Sequence, residues 1–492
     1  MRLPQLLIAA LLVPAGSGLV LAQPTADEQA KRLLDDGRND LAQGRTRQGL
    51  DAFQTVVTGF SNSEYADDAL LEMGHYAEEV EKDPARAREI YDQIAKKYPQ
   101  GDAAPGAYLQ MGHIAFSTAS SQAELDQALA NFQRVIRLYP ESAFVPRALV
   151  ASAAVFRRAG RFDSAIDSAR RAVLLHPSGD VAPEAQFELA LSLATAGDFL
   201  TAMEEFQRVR SLYPASAPAA QALNATTALY RLYGNDRPLF QKDPAFSLLA
   251  GDVLKDVRAL AIAPSGVLWV ASNKTKSAVS FDSRGTLVGS LTADDPQTVT
   301  ISPSGDAVFA GKLAVKTGAG STFSFSAPND KGEMESIDRI GAASILVSGD
   351  TLVSDLKRKR VLKFKGSTFI SVFADRSERE VVRLVTTPRG DVVMLRKDNK
   401  SVEIFDAGGR LLRTIGPSGP GFEWKKPADV AVDAFSNLYV ADEDQGTFMF
   451  STAGELMAAF GAEVRKSRAI AIDPSGAALV YDDRAEVIVR FK

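Results

Sequence analysis

Three histidines, His75, His113 and His176, are the only imidazoles in the 492-residue chain, and it contains no cysteine. Zero cysteine excludes disulfides, thiolate metal sites, a cysteine nucleophile and lipid attachment at an N-terminal cysteine. No histidine falls after residue 176. The C-terminal half therefore cannot build a Ser-His-Asp triad, a histidine-ligated zinc site or a histidine general base. His75 and His113 follow Met73-Gly74 and Met111-Gly112. As a metal pair they lack a third ligand, so packing at a repeat seam is the simpler account. His176 fills a slot that holds tyrosine elsewhere.

Carboxylates are the remaining candidates. Asp433 and Asp473 end apolar runs, and Asp442 and Asp482-Asp483 end the next ones. A ring of such oxygens is how a divalent cation is held by hard ligands. The equivalent places elsewhere read Ala263, Ser302 and Val347, so the ring is not filled, and a strand-end Asp ordinarily caps its own turn. Gly408-Gly409 and the run from Gly416 to Gly421 lack a following Lys-Ser/Thr helix start and read as turns, not phosphate cradles. No catalytic residue, metal or cofactor is expected.

Charge is patterned more strongly. Successive turns in the C-terminal half carry Lys274 and Lys276, then Lys312, then Lys357, Arg358, Lys359 and Arg360, then Arg396, Lys397 and Lys400. The last two carry Asp442, Glu443 and Asp444, and Asp482 and Asp483. On a closed ring these turns share one face, giving a basic arc and an acidic arc suited to orienting a charged partner. The plainer account is that exposed turns are charged in any protein. The net charge of −5 argues against a general polyanion binder.

Two arrays must position these residues. Before them, residues 1–22 read as a cleaved secretory signal, with Arg2, an apolar core Leu6–Val13, breakers Pro14 to Gly18, and Val20-Leu21-Ala22 at the cut. The core is short of the roughly 20 residues a membrane span needs. No later stretch is apolar enough to span either.

From about residue 23 to 234 the period is helical. Helix ends fall at Phe60, Tyr98, Tyr139, His176 and Tyr213, in steps of 38, 41, 37 and 37, with Pro99, Pro140, Pro177 and Pro214 following all but the first. Seven residues earlier stand Phe53, Tyr91, Phe132, Ala169 and Phe206, and four before those Gly49, Ala87, Ala128, Ala165 and Ala202. Offsets of four and seven share one helical face. Proline stops each second helix, and the small residue lets its partner helix approach. The spacing predicts five helix pairs and a closing helix at about 217–234.

After a linker at 235–244, residues 245–492 alternate as short strands with Gly-punctuated turns. Turns at Pro264-Ser265-Gly266, Pro303-Ser304-Gly305, Ser348-Gly349-Asp350, Pro388-Arg389-Gly390, Phe435-Ser436-Asn437 and Pro474-Ser475-Gly476 recur in steps of 39, 44, 41, 46 and 40. Six such units predict a six-bladed β-propeller. The last unit has three strands, so the apolar segment Phe246–Leu249 is expected to supply its fourth.

The mid-thirties helical period with terminal proline is the tetratricopeptide-repeat (TPR) signature. Its YP-x-(S/G) form resembles exported TPR proteins of bacterial envelopes, such as the BamD lipoprotein and the TPR partner of the Tol–Pal system. Residues 416–442, GPSGPGFEWKKPADVAVDAFSNLYVAD, resemble an NHL repeat, with Ser436 where that family usually has glycine. The fold class expected is thus a TPR α-solenoid followed by a six-bladed β-propeller. The resemblances imply a non-enzymatic exported scaffold, periplasmic or envelope-associated. Proteins or peptides would occupy the TPR groove, and a second protein or an envelope polymer the propeller face. Some NHL propellers bind RNA, but an exported chain seldom meets it, so no nucleic acid is expected. The alternative is a propeller acting as a metal-dependent hydrolase or lyase, as in lactonase-type six-bladed propellers, docked by the TPR array.

Overall fold

Alternating small and aromatic residues at fixed helical offsets dictate pairs of close-packed helices, and among the described residues eleven α-helices precede the first strand. The computed structural model describes residues 25–234, 239–246, 248, 251–292, 295–318, 320–374, 380–397 and 400–492. The expected signal segment and residues 235–238 of the expected linker lie outside these. The helices are α1 (Ala26–Ala42), α2 (Thr46–Gly59), α3 (Ala66–Glu79), α4 (Pro84–Lys97), α5 (Ala104–Thr118), α6 (Gln122–Leu138), α7 (Val145–Arg158), α8 (Phe162–Leu175), α9 (Ala182–Ala196), α10 (Phe199–Leu212) and α11 (Ala217–Tyr233). The chain divides into two compact units, residues 1–107 and 108–492. The first holds α1 to α4 and the start of α5; the second holds the remaining helices and every strand.

In the first unit, a β-carbon on Gly37 would stand 2.5 Å from the Phe53 ring, and one on Gly74 would stand 2.3 Å from the Tyr91 ring. In the second unit, Gly112 meets Phe132 in the same way at 2.4 Å. All three rings are fully buried. Glycine is therefore what allows the first helix of each of these pairs to lie against the aromatic of the second. The small residues on the second helices, Gly49, Ala87, Ala128, Ala165 and Ala202, are buried as their spacing requires. Tyr98, Tyr139, His176 and Tyr213 each occupy a helix C-cap with φ between −126° and −137°. Each has left the α region, which a following proline disfavours, and Phe60, followed by Ser61, ends α2 at a similar φ of −128°. Thr25 and Ser121 open α1 and α6 with capping boxes.

The strands form six antiparallel blades, built in sequence order from the channel outward, the first five with four strands and the sixth with three. Their inner strands are Val257–Ile262, Pro296–Ile301, Ile340–Ile345, Val381–Thr386, Pro427–Val432 and Ser467–Ile472. The inner strands of blades six and one are neighbours, so the ring is closed. The two longest turn-to-turn steps contain an extra hairpin each, Ser326–Pro328 with Met334–Ser336, and Ser418–Gly419 with Phe422–Glu423. In the latter, Phe422 packs edge-on to Phe450 at 4.9 Å and beside the buried Trp424.

Closure meets the expectation at one described residue, Leu248, and adds an earlier stretch to it. Among the described residues Gln241–Asp243 pair with the end of Val487–Phe491, with Gln241 and Lys492 exchanging backbone hydrogen bonds and the Asp243 N–H donating to Arg490 O at 2.8 Å. Leu248 bridges Ile488, but Ser247 and Leu249 lie outside the described residues. The polar stretch is held there by Asp243, which meets Arg490 and Lys492, and by Phe240, which stacks on Phe460.

Candidate functional site

Antiparallel order gives the ring two rims. Turns joining strands one to two and three to four lie on one, the turn rim. Loops joining strands two to three, and each blade to the next, lie on the other, the loop rim. Within the second unit the helices occupy the turn rim. Arg389 lies over the Phe162 ring at 5.3 Å, Arg231 donates to Ser475 O at 3.1 Å, and Asn437 donates to Tyr233 Oη at 3.5 Å. One apolar cluster runs from Leu229 and Leu232 through Phe240 to Phe435 and Tyr439. Asp433, which ends the blade-five inner strand, is buried, which raises its carboxyl, and it accepts from Asn437, Phe435 and Tyr439. It is used within its turn. In blade three the corresponding place is held by Leu346, whose N–H closes the turn, rather than by Val347.

The loop rim carries the charged turns. Lys274 and Lys397 make no close ion pair among the described residues, Lys274 acting on Asp252 only through its charge, and Lys276 donates to Asn273 Oδ1 at 2.8 Å. Lys276, Lys359, Lys400 and Glu486 share one left-handed slot, φ +50° to +55°, which Gly446 fills in blade five. Lys357 pairs with Glu335 at 2.9 Å and Asp338 at 3.5 Å. Arg358 and Arg360 reach the buried Asp355, at 3.8 and 3.2 Å. Three of the expected residues are committed inside the blades. Arg396 is buried against Glu403 at 2.6 Å. Asp442 is fully buried and accepts from the N–H groups of Lys425, Lys426 and Asp444 at 2.7–3.0 Å. Asp482 likewise accepts from Arg465, Arg484 and Ala485. Glu443, Asp444 and Asp483 stay on the loops, but Asp444 meets Lys426 at 3.1 Å and Asp483 meets Lys466 at 2.7 Å. The acidic arc is therefore interleaved with bases.

Each inner strand also begins with a bulge. The extra residue is turned out of the ladder. Arg258, Gln297, Gly341, Val382, Ala428 and Arg468 are those residues, and all line a funnel of about 550 Å³ at the centre of the loop rim. Below it lies a mostly apolar channel cavity of about 470 Å³. Arg383 lines both. Its Nε donates to Asp429 Oδ1 in the next blade at 2.7 Å, its Nη1 to Val382 O at 2.8 Å, and its Nη2 to Arg258 O in blade one, directly opposite. One side chain thus bars the channel. Asp429 is buried, and burial raises its carboxyl against the pull of Arg383 and the Ile470 N–H. The equivalent slots of the other blades hold Ala259, Thr298, Ala342 and Ala469. Sequence reading missed this pair because nothing in the residue string marks the bulge. The one available signal is a charged residue where sister repeats are small.

Among the described residues no group of three or more His, Asp or Glu side chains is placed to hold a metal ion. His75 and His113 stand edge-on to Tyr91 and Phe132 respectively, and burial lowers the His113 imidazole. No helix among the described residues is long and apolar enough to cross a membrane.

Family models match the helical array. Residues 26–155 match the outer membrane lipoprotein family YfiO, and residues 150–217 match a tetratricopeptide-repeat model. No curated protein sequence matches the chain. A streptogramin B lyase structure is 12% identical, over 51% of this chain and 97% of that one, with a TM-score of 0.37. A catalytically inactive virginiamycin B lyase from Staphylococcus aureus is 13% identical, over 51% and 84%, with a TM-score of 0.36. A gluconolactonase from Xanthomonas campestris is 12% identical, over 48% and 87%, with a TM-score of 0.38. The chain joins a TPR-like helical array, whose first part matches an outer membrane lipoprotein family, to a six-bladed β-propeller.

Proposed function

We propose that the protein is an exported, non-enzymatic scaffold of the bacterial cell envelope. Its helical array grips a protein partner, and the loop rim of its propeller grips a second protein or an envelope polymer. The observation that carries this reading is the division of the ring's two rims. The turn rim is taken up by contacts with the array, while the loop rim presents the charged turns. The match of residues 26–155 to an outer membrane lipoprotein family supports the envelope setting. Within the second unit, Leu138, Leu175 and Leu212 are about 60% exposed in the same slot of successive pairs, just ahead of the C-cap residue. Such a periodic apolar row suits an extended segment or helix laid across repeats. Joining two sites in one chain raises the effective concentration of one partner near the other.

The test is affinity capture from envelope extract with the full chain as bait. A Lys274→Ser/Lys397→Ser variant removes two loop-rim charges that make no ion pair among the described residues. It should retain less than half of at least one partner while keeping others. An unchanged capture profile overturns the loop-rim part of this reading, and turnover of a substrate by the purified chain overturns the non-enzymatic part.

A further inference from the structure

The funnel at the centre of the loop rim takes Lys397, Lys400 and Glu443 from the charged turns into its wall, and we propose that it binds a small ligand carrying two or more carboxylate or phosphate groups. Three features point to this chemistry. The first is the lining. Arg258, Arg339, Lys425, Lys426 and Arg468 converge from blades and connections that are far apart in sequence. The carboxylates that pair with four of them, Asp256, Glu423, Asp444 and Asp483, are not part of the lining. Two carboxylates also face the void, Glu443 and Glu380, the latter 3.6 Å from Arg339; with Arg383, Lys397 and Lys400 also in the lining, cations outnumber them, so the potential inside the concavity is positive although the chain as a whole is acidic.

The second feature is the floor. A guanidinium has five N–H donors in a fixed fork. Arg383 spends one each on Asp429, Val382 O and Arg258 O. One hydrogen on each terminal nitrogen remains for an oxyanion resting on the bar. Asp429 fixes the fork beforehand, so little freedom is lost when such a ligand docks. The third feature is Arg258 Nε, which is buried without a partner in the funnel wall. A buried donor left unmade is costly, and a ligand oxygen would satisfy it. The volume of about 550 Å³ fits a small molecule rather than a polymer chain.

The inference does not depend on any macromolecule at the loop rim. It is tested on the full chain by calorimetric titration at fixed ionic strength with three probes: tripolyphosphate, citrate and neutral glucose. Saturable binding of at least one anion, and none of glucose, is expected, and the preferred anion distinguishes phosphate from carboxylate chemistry. Arg383→Gln should weaken binding at least tenfold. Should that variant fail to fold, Lys425→Gln/Lys426→Gln, which alters only side chains at the funnel wall, should weaken binding at least threefold. Absence of saturable anion binding to the parent overturns the proposal. So does unchanged affinity in a folded Arg383→Gln variant or in the lysine double variant.

Discussion

Asp68 is a residue whose ionisation opposes its surroundings. It is half-buried in the first turn of α3, and burial, then the charges of Asp102 and Asp67, push its carboxyl up to about 6. A folded value above the usual ~3.9 means the protonated form is the favoured one. The stabilisation is fully present below about pH 4 and is lost as pH rises through about 6. Asp68→Asn should therefore melt higher than the parent at pH 7.5, and the two curves should converge near pH 4. A variant that melts lower at pH 7.5 would show that the carboxylate is stabilising. Single residues were unequally legible in the sequence. Ser436 stood out against a glycine pattern, and its φ of +66°, in the slot held by Gly266, Gly305, Gly349, Gly390 and Gly476, shows why glycine is usual there. Arg383 and Asp429 gave no comparable sign, since only the bulge and the opposing blade make them a pair. Likewise Asp442, Asp482 and Arg396 read as surface charge because composition alone cannot tell an exposed turn carboxylate from one enclosed by backbone N–H groups.

At the scale of elements, α8 and the inner turn of blade four form a small joint. Arg389 reaches from the turn over Phe162, and Arg158 of α7 lies against Gly390 while donating to Phe116 O at 3.0 Å. A partly desolvated cation–π contact contributes ~1–2 kcal/mol. Arg389→Ala should loosen that joint by about this amount. The measurement is hydrogen exchange across Phe162–Leu175, expected to quicken severalfold while exchange in the blade-one strands holds steady; unaltered exchange in α8 would mean the contact carries no load. Elements themselves were easy to read. The helical slots follow from one period and the proline stops, and the six inner turns from another. The two extra hairpins were present only as longer steps, because a two- or three-residue strand carries too few side chains to show alternation.

For the whole molecule the decisive contact is the one that closes the ring. Lys492 and Arg490 hold the Asp243 carboxyl well below the usual carboxylate range. The stability this gives is present above about pH 4 and disappears as acid protonates the group. Asp243→Ala should lower the melting temperature near neutrality and expose residues 239–246 to protease, with parent and variant converging in acid. A neutral-pH melt identical to the parent's would show that backbone pairing alone holds the seam. The same contact sets a schedule for the newly made chain. Asp243 and Arg490 are 247 residues apart, so during translation α1 to α11 leave the ribosome and can pack long before the clasp strand exists. Five blades must wait, with a bare edge, until the strand at 487–491 is made. A stalled or shortened product would then pair a finished helical array with an open, aggregation-prone sheet, which marks it for proteolytic disposal.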